Sequence, residues 1–340
     1  MGFRIRQSNF ELLRIISMLM ILMVHFTGAT FPLPDRMQLT DFGNINTTAK
    51  MLMESFSIIG VNCFVLISGF FGIKPSVKGF TNFIFCCLFY SVVIYGIFAI
   101  ADPSQYGWKD VLQSFAIFSH TDLWFIPTYL TLYVFSPLIN KGFNALHRHQ
   151  HITLLCALTF INVYLGWFWG GKVNPTGYNA MHLIYIYVIG RFIHTYHASC
   201  SLRSWHYFIG FIVAFLLIFA STFVLNSSMA FAYNSPAVII SSIFFFLIFT
   251  QISFYDVYIN HIASSAFAIY LIHKMPPVWL MLKNFLVDIT RSADYFTFSF
   301  FWVIYVAAIF SACIFIDKLR IQFTDPLLHK LFHKKENYSI

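Results

Sequence analysis

Three ionisable residues interrupt the apolar segment NFELLRIISMLMILMVHF, which covers residues 9–26: Glu11, Arg14 and His25. Ionisable groups are costly inside a membrane-spanning helix, so they face a protein interior or a water-filled cavity and commonly serve a function. A histidine can act as a general base or as a nucleophile near neutral pH, and an arginine binds phosphate well. The segment therefore predicts chemistry on an anionic substrate within the membrane.

Arg14 and His25 are expected to project from one face of this helix. They are eleven positions apart, a separation over which an α-helix makes three full turns plus about 20° and advances by about 16 Å. Glu11 has the spacing of a side-chain partner for Arg14. We expect one protein-lined cleft that Arg14 and His25 share. Two other interpretations remain open: Arg14 as a boundary residue that snorkels to water, and His25 as a hydrogen-bonded structural residue.

The composition indicates a polytopic membrane protein with an all-α fold. Of 340 residues, 59% are hydrophobic and only 10% are charged, whereas a soluble domain carries about 25% charged residues. The net charge of +8 does not indicate nucleic-acid binding, because the basic residues are dispersed between apolar runs. The spacing of cysteine and histidine does not indicate a metal site.

Apolar runs of about 20 residues are long enough to cross a bilayer, and the sequence predicts about ten of them. Both termini are expected in the cytoplasm, because most of the 21 Lys and Arg residues then lie on the inner side. This orientation counts Glu54 among the residues on the outer side. The expected domains are a membrane domain over 1–320 and a short basic cytoplasmic tail over 321–340. The predicted spans are 10–28, 55–73, 80–101, 123–140, 152–169, 180–196, 206–226, 236–254, 258–274 and 295–317.

An arginine, ten further residues and a histidine in the first span resemble the signature of the acyltransferase 3 family of membrane enzymes. Three later stretches also resemble family segments, and they occur in the family's order: FVLISGFFGIK (64–74), DLWFIPTYLTLYVFSPLIN (122–140) and AFAIYLIH (266–273). The resemblance covers essentially the whole chain. Members often carry an Arg-rich pair at the inner end of the third span, where this chain has only Lys74 and Lys78.

The resemblance implies an integral-membrane O-acyltransferase. Its expected donor substrate is acyl-coenzyme A, with acetyl as the acyl group, and no bound cofactor is expected. The expected acceptor is a hydroxyl of a cell-envelope polysaccharide or of its lipid-linked precursor. The expected location is the bacterial cytoplasmic membrane, which the chain crosses many times. Membrane lipid is an expected partner and nucleic acid is not, while a homo-oligomer remains open.

His25 is the expected base or acyl carrier, with Arg14 and Glu11 as further catalytic residues. Arg14, the two inner lysines and Arg191 are candidates for the donor phosphates, although lysines also fit a topological role. The two aromatic residues of the fourth span fit either sugar stacking or the membrane interface. The candidate substrate-binding residues are Lys74, Lys78, Trp124, Tyr133, Arg191 and His273. His273 fits an acceptor-binding or acid–base role as well as a structural hydrogen bond.

Two other functions fit the same features. A transporter or flippase for a glycan or small metabolite would also need intramembrane Arg and His residues. A non-catalytic membrane partner of a glycan-assembly complex is the third function. Loss of a thioester that depends on His25 would favour an enzyme, whereas glycan flux that survives the loss of His25 would favour transport.

Overall fold

The computed structural model describes residues 7–30, 33–38, 40–41, 45–119, 123–168, 173–197, 202–290 and 295–336, and within them it is all-helical, without β-strands. The all-α prediction is confirmed. The α-helices are α1 (Ser8–Thr30), α2 (Ile45–Ser57), α3 (Gly60–Phe71), α4 (Val77–Ala101), α5 (Trp108–Gln113), α6 (Phe125–Ala145), α7 (Arg148–Thr159), α8 (Ala180–Tyr196), α9 (Ser204–Ser221), α10 (Ser227–Ala230), α11 (Pro236–Thr250), α12 (Val257–Ala263), α13 (Ala266–Lys274), α14 (Pro276–Thr290) and α15 (Tyr295–Glu336). A 3₁₀ segment (Ser114–Ser119) follows α5, and a π-helical segment (Phe160–Trp167) follows α7.

Five segments of the described chain are long and apolar enough to cross a membrane: Ser8–Gly28, Thr47–Phe71, Val77–Ala101, Ser204–Ser221 and Ser299–Thr324. Pro236–Thr250 is a shorter apolar helix. The outer helices expose large apolar side chains, as expected for surfaces that face lipid: Phe208, Val213 and Leu217 on α9, and Phe300, Val303 and Phe315 on α15. The chain is therefore a membrane protein with several apolar helices.

Helix α1 occupies the interior of this bundle. It contacts α2, α3 and each of α11 to α15. Its first turn is tied to α11 and α12, since the Ser8 hydroxyl donates to Asn260 Oδ1 at 2.9 Å and the Asn9 amide donates to the Phe249 carbonyl at 2.9 Å. These bonds fix the depth of α1, and with it the depth of every functional side chain that α1 carries.

Helices α3 and α8 pack closely because each presents a glycine to the other. A Cβ at Gly190 would lie 2.6 Å from the Leu66 carbonyl oxygen, and one at Gly69 would clash with the backbone of Tyr187. Without these Cβ atoms the two backbones approach each other, as small residues permit in membrane proteins. This contact holds α3 against α8 on one side of the cavities described below.

The helix boundaries differ from the predicted spans in several places. The segment predicted to begin at residue 55 begins ten residues earlier with α2, because the polar positions before residue 55 lie on a half-buried helix. The span predicted over 258–274 is two helices, α12 and α13, which meet at Ser264 and Ser265. Helix α14 follows directly, in a stretch that the sequence reading left between spans because it carries Lys283 and Asp288.

Candidate active site

His25 is hydrogen-bonded to a second histidine from the far end of the sequence. Its Nδ1 lies 2.9 Å from Nε2 of His273 on α13, and Nδ1 of His273 lies 2.5 Å from the carbonyl oxygen of Ile269, one turn earlier. A carbonyl oxygen only accepts hydrogen bonds, so Nδ1 of His273 carries the proton and Nε2 accepts. Nδ1 of His25 is then the donor. When neutral, His25 keeps its Nε2 unprotonated, which is the state a general base needs.

The rings around His25 leave very little free space. A cavity of about 10 Å³ adjoins it and is lined by Met18, Ile21, Val61, Phe64, Phe125 and Tyr270, together with Trp124 and Tyr233. A volume of this size holds about one water molecule. Trp279 packs against the imidazole edge-on, with ring centroids 6.0 Å apart. Since a substrate needs more room than this, binding must displace some of these side chains.

Arg14 lines a separate and much larger cleft of about 740 Å³. Glu11, Lys74 and Arg191 line the same cleft, and Arg14 Nη1 pairs with Glu11 Oε2 at 2.5 Å. The Arg14 side chain remains 30% exposed. Three cations and one carboxylate give the cleft an excess of positive charge, which attracts a polyanionic ligand.

Arg191 enters this cleft across a glycine. Gly72 follows α3 with φ +72°, a left-handed conformation that favours glycine, and a Cβ there would lie 2.9 Å from Arg191 Nη1. Nη2 of Arg191 donates to Asn144 Oδ1 at 3.4 Å, and the guanidinium lies 5.9 Å from the centre of the Phe143 ring. The buried Nε of Arg191 finds no acceptor among the described residues. Arg191 therefore retains donor capacity for a ligand.

The cleft and the His25 cavity are distinct spaces, which corrects the expectation of one shared cleft. Arg14 lines the cleft and Met18 the cavity, while on α3 Ser68 lines the cleft and Phe64 the cavity. On each helix the two positions are one turn apart, or about 6 Å. Tyr129 of α6 is at the boundary, since its hydroxyl lies 3.2 Å from Ser68 Oγ. We call the Ser68–Tyr129 contact the neck.

A comparison with protein families identifies the family of this chain. The model of the Acyl_transf_3 family, described as an acyltransferase domain, matches residues 7–317. The chain belongs to the Acyl_transf_3 family. No curated protein and no solved structure matches it. Membership makes this chain a membrane acyltransferase, and the resemblance seen in the sequence is confirmed.

Two predicted site residues lie apart from the other site residues of this Acyl_transf_3 chain. Lys78 is exposed on the first turn of α4 and does not line the described cleft. The Tyr133 hydroxyl accepts from the backbone N–H of Ser76 at 3.1 Å, and Tyr133 lines an apolar groove with Phe80. Tyr133 thus fixes the turn before α4, and it is the tyrosine one turn earlier, Tyr129, that contacts the cleft-lining Ser68.

Several residues that surround the site were not among the predicted site residues. Glu54, counted there with the outer side, is buried in α2, and its Oε2 finds no partner among the described residues. Trp124 packs against two tyrosines from separate connections, with ring centroids 4.7 Å from Tyr178 and 5.6 Å from Tyr233. An acid within the apolar run MLMESFS was the one sequence signal for Glu54. The tyrosines had none, because their contacts join distant segments. Among the described residues, no group of three His, Cys, Asp or Glu side chains could hold a metal ion.

Proposed function

We propose that this membrane acyltransferase moves an acyl group, with acetyl the expected one, from acyl-coenzyme A to a hydroxyl of a cell-envelope glycan or its lipid-linked precursor. The observation that carries the proposal is the position of the His25–His273 pair beside a cavity whose nearest lining residues lie one helical turn from a cleft with three cations. The cleft suits an anionic donor, and the histidine pair suits proton transfer.

The donor would bind with its phosphates in the cleft. Coenzyme A carries several phosphate charges, and guanidinium groups bind phosphate in a bidentate manner. Arg14 and Arg191 supply two such groups and Lys74 adds a point charge. The narrow, uncharged pantetheine arm would then pass the neck at Ser68 and Tyr129 and bring the thioester to His25.

The chemical step needs one base and one acid, and His25 can serve as both. The acceptor hydroxyl loses its proton to Nε2 of His25 as its oxygen attacks the thioester carbonyl carbon. The C–S bond then breaks, and the departing thiolate takes that proton from the imidazolium. His273 holds the ring throughout, because its Nε2 accepts from Nδ1 of His25 in both protonation states. A general base of this kind contributes about 10²–10⁴-fold to the rate.

The proposed setting is the bacterial cytoplasmic membrane, with both termini in the cytoplasm. Acyl-coenzyme A is a cytoplasmic metabolite, so the Arg14 cleft would open to that side. The acceptor would approach from the opposite side of His25. About ten spans are proposed, since α6, α8, α12 and α13 also occupy positions where the sequence predicts crossings.

A direct test uses purified protein in nanodiscs with acetyl-coenzyme A labelled in the acetyl group, together with membranes that contain candidate glycans. We expect label in a base-labile glycan ester, and free thiol in an amount equal to the ester plus any free acetate. His25→Ala should abolish both, while His149→Ala, which changes an exposed histidine of α7, should abolish neither. Glycan flux across vesicles that persists in His25→Ala without any ester formation would instead indicate transport.

A further inference from the structure

Glu54 is a buried acid to which neither the donor cleft nor the histidine pair assigns a role. Glu54 is only 5% exposed, and its Oε2 has no hydrogen-bond partner among the described residues. A buried polar atom without a partner is unfavourable by about 1–3 kcal/mol, so such atoms are uncommon and often functional. An acceptor oxygen at this depth is therefore available to a ligand.

The surroundings of Glu54 combine aromatic rings with hydroxyl groups. The carboxyl group lies within electrostatic range of the hydroxyls of Tyr178 and Tyr233. The two tyrosine rings lie 4.8 Å apart and pack with Trp124. Aromatic faces provide apolar contact area and tyrosine hydroxyls provide hydrogen bonds. A sugar ring, which has apolar faces and hydroxyl edges, matches both.

Glu54 lies on the side of His25 that is away from the cleft. It precedes Val61, which lines the His25 cavity, by seven residues. Seven helical residues return to the same face after an advance of about 10 Å, and Ile59 keeps helical dihedral angles where α2 meets α3. The opposite direction along α3 leads to Ser68 and the cleft. The two directions along this face therefore lead to two chemically different sites.

Hydrogen bonds to the backbone fix the segments that carry the two tyrosines. The N–H of Tyr233 donates to the Thr176 carbonyl at 3.0 Å, and the Asn62 amide donates to the Tyr233 carbonyl at 3.1 Å. The N–H of Gly177 donates to Asn174 Oδ1 at 2.9 Å. The connections before α8 and before α11 are thereby fixed to each other and to α3. A selective site requires a backbone that is fixed in this way.

We propose that Glu54, together with Trp124, Tyr178 and Tyr233, forms the acceptor subsite, in which the Glu54 carboxyl accepts a hydrogen bond from a sugar hydroxyl. This assignment rests on the proposed function, since it presumes a glycan acceptor. A site with a buried unpaired acceptor selects strongly for a ligand that donates to it. Glu54 and the aromatic faces together thus hold the sugar in the place that water, the competing acceptor in an acyl-transfer site, would otherwise occupy.

The partition of the acyl group between glycan and water tests this subsite. Membranes from the source organism, deleted for its own copy of the gene, receive the full-length protein and acetyl-coenzyme A labelled in the acetyl group. Glycan ester and free acetate are then measured together. We expect Glu54→Ala to lower the ratio of ester to acetate by about tenfold or more, with acetate release retained. Glu54→Gln keeps one acceptor oxygen and should restore part of the ratio.

A matched control is Asp317→Asn, a second buried acid, which lies on α15 and accepts hydrogen bonds from Tyr90 and Arg320. It should leave the ratio unchanged even where the total activity falls. If the ratio in Glu54→Ala stays at the wild-type value, even with both products lowered in proportion, the acceptor subsite is overturned and the proposed function remains intact. Wild-type membranes that consume no acetyl-coenzyme A overturn the proposed function itself.

Discussion

His25 and His273 come from opposite ends of the chain, and their imidazole rings meet with Nδ1 and Nε2 2.9 Å apart. The Ile269 carbonyl orients His273, and His273 in turn orients His25. Many catalytic histidines are oriented by a carboxylate, whereas here the orienting group is a neutral imidazole. A neutral partner fixes the tautomer of His25 while stabilising the imidazolium less than a carboxylate would.

His273 is a positioning residue in this account, and its replacement should show it. His273→Ala removes the acceptor for Nδ1 of His25, so the turnover number should fall by about 10–100-fold, less than for His25→Ala. His273→Gln can place a side-chain oxygen where Nε2 was, and it should recover a substantial part of the turnover. Steady-state kinetics with acetyl-coenzyme A measures this, and equal activity of the Ala and Gln variants would contradict the orienting role.

The cationic cleft predicts a donor effect that depends on phosphate. Arg191→Ala and Arg14→Ala should each raise the KM for acetyl-coenzyme A by about 10–100-fold, since a charged hydrogen bond is worth about 1.5–3 kcal/mol. With S-acetylpantetheine, which lacks phosphates, the same variants should match the wild type. Lys78→Ala, outside the cleft, is the control and should change neither KM. A rise in KM for both donors would contradict phosphate binding at these arginines.

The neck predicts that donor binding and acyl transfer can be separated. Ser68→Leu fills the space between the cleft and the His25 cavity, where the Tyr129 hydroxyl now lies 3.2 Å from Ser68 Oγ. We expect turnover to fall at least tenfold while the Kd for coenzyme A, measured by calorimetry, changes little. Ser68→Ala removes the hydrogen bond without filling the space, and it should remain active. Full activity in Ser68→Leu would show that the thioester reaches His25 by another route.

The glycine contact between α3 and α8 predicts a stability effect. Gly69→Ala would drive a methyl group into the backbone of Tyr187, and such overpacking typically costs about 1–3 kcal/mol. The thermal unfolding midpoint in detergent should therefore fall by several degrees. Gly96→Ala on α4, where a Cβ would meet no atom within 4 Å, should leave the midpoint unchanged or raise it slightly. Equal midpoints for the two variants would contradict the close packing.

Hydropathy and helical periodicity were sufficient to predict the helical membrane fold and to direct attention to α1. Arg14 and His25 both line cavities within the protein, as one helical face predicts. The division into two cavities was not predictable, because side chains of α3 and α6 create it. For the same reason Tyr133 was chosen from the fourth span although Tyr129, one turn earlier, contacts the cleft-lining Ser68.

Contacts between distant segments are the features that the sequence predicted least well. The bond between His25 and His273 joins residues 248 positions apart, and a single sequence contains no spacing rule for such a pair. Helix α14 was missed because its 15 residues include two charges and fall short of a bilayer-spanning length. Glu54 was counted among the residues on the outer side because the polar residues before it suggested the end of a connection rather than a buried helix.

In the proposed mechanism His25 performs the chemistry and does not bind the donor. The most direct measurement compares binding and a single turnover of labelled acetyl-coenzyme A in wild-type protein and in His25→Ala, with the protein in excess. The account predicts that the Kd of His25→Ala stays within about twofold of the wild type while its single-turnover rate falls at least about 100-fold. A rate that survives, or one lost only because the donor no longer binds, would contradict it.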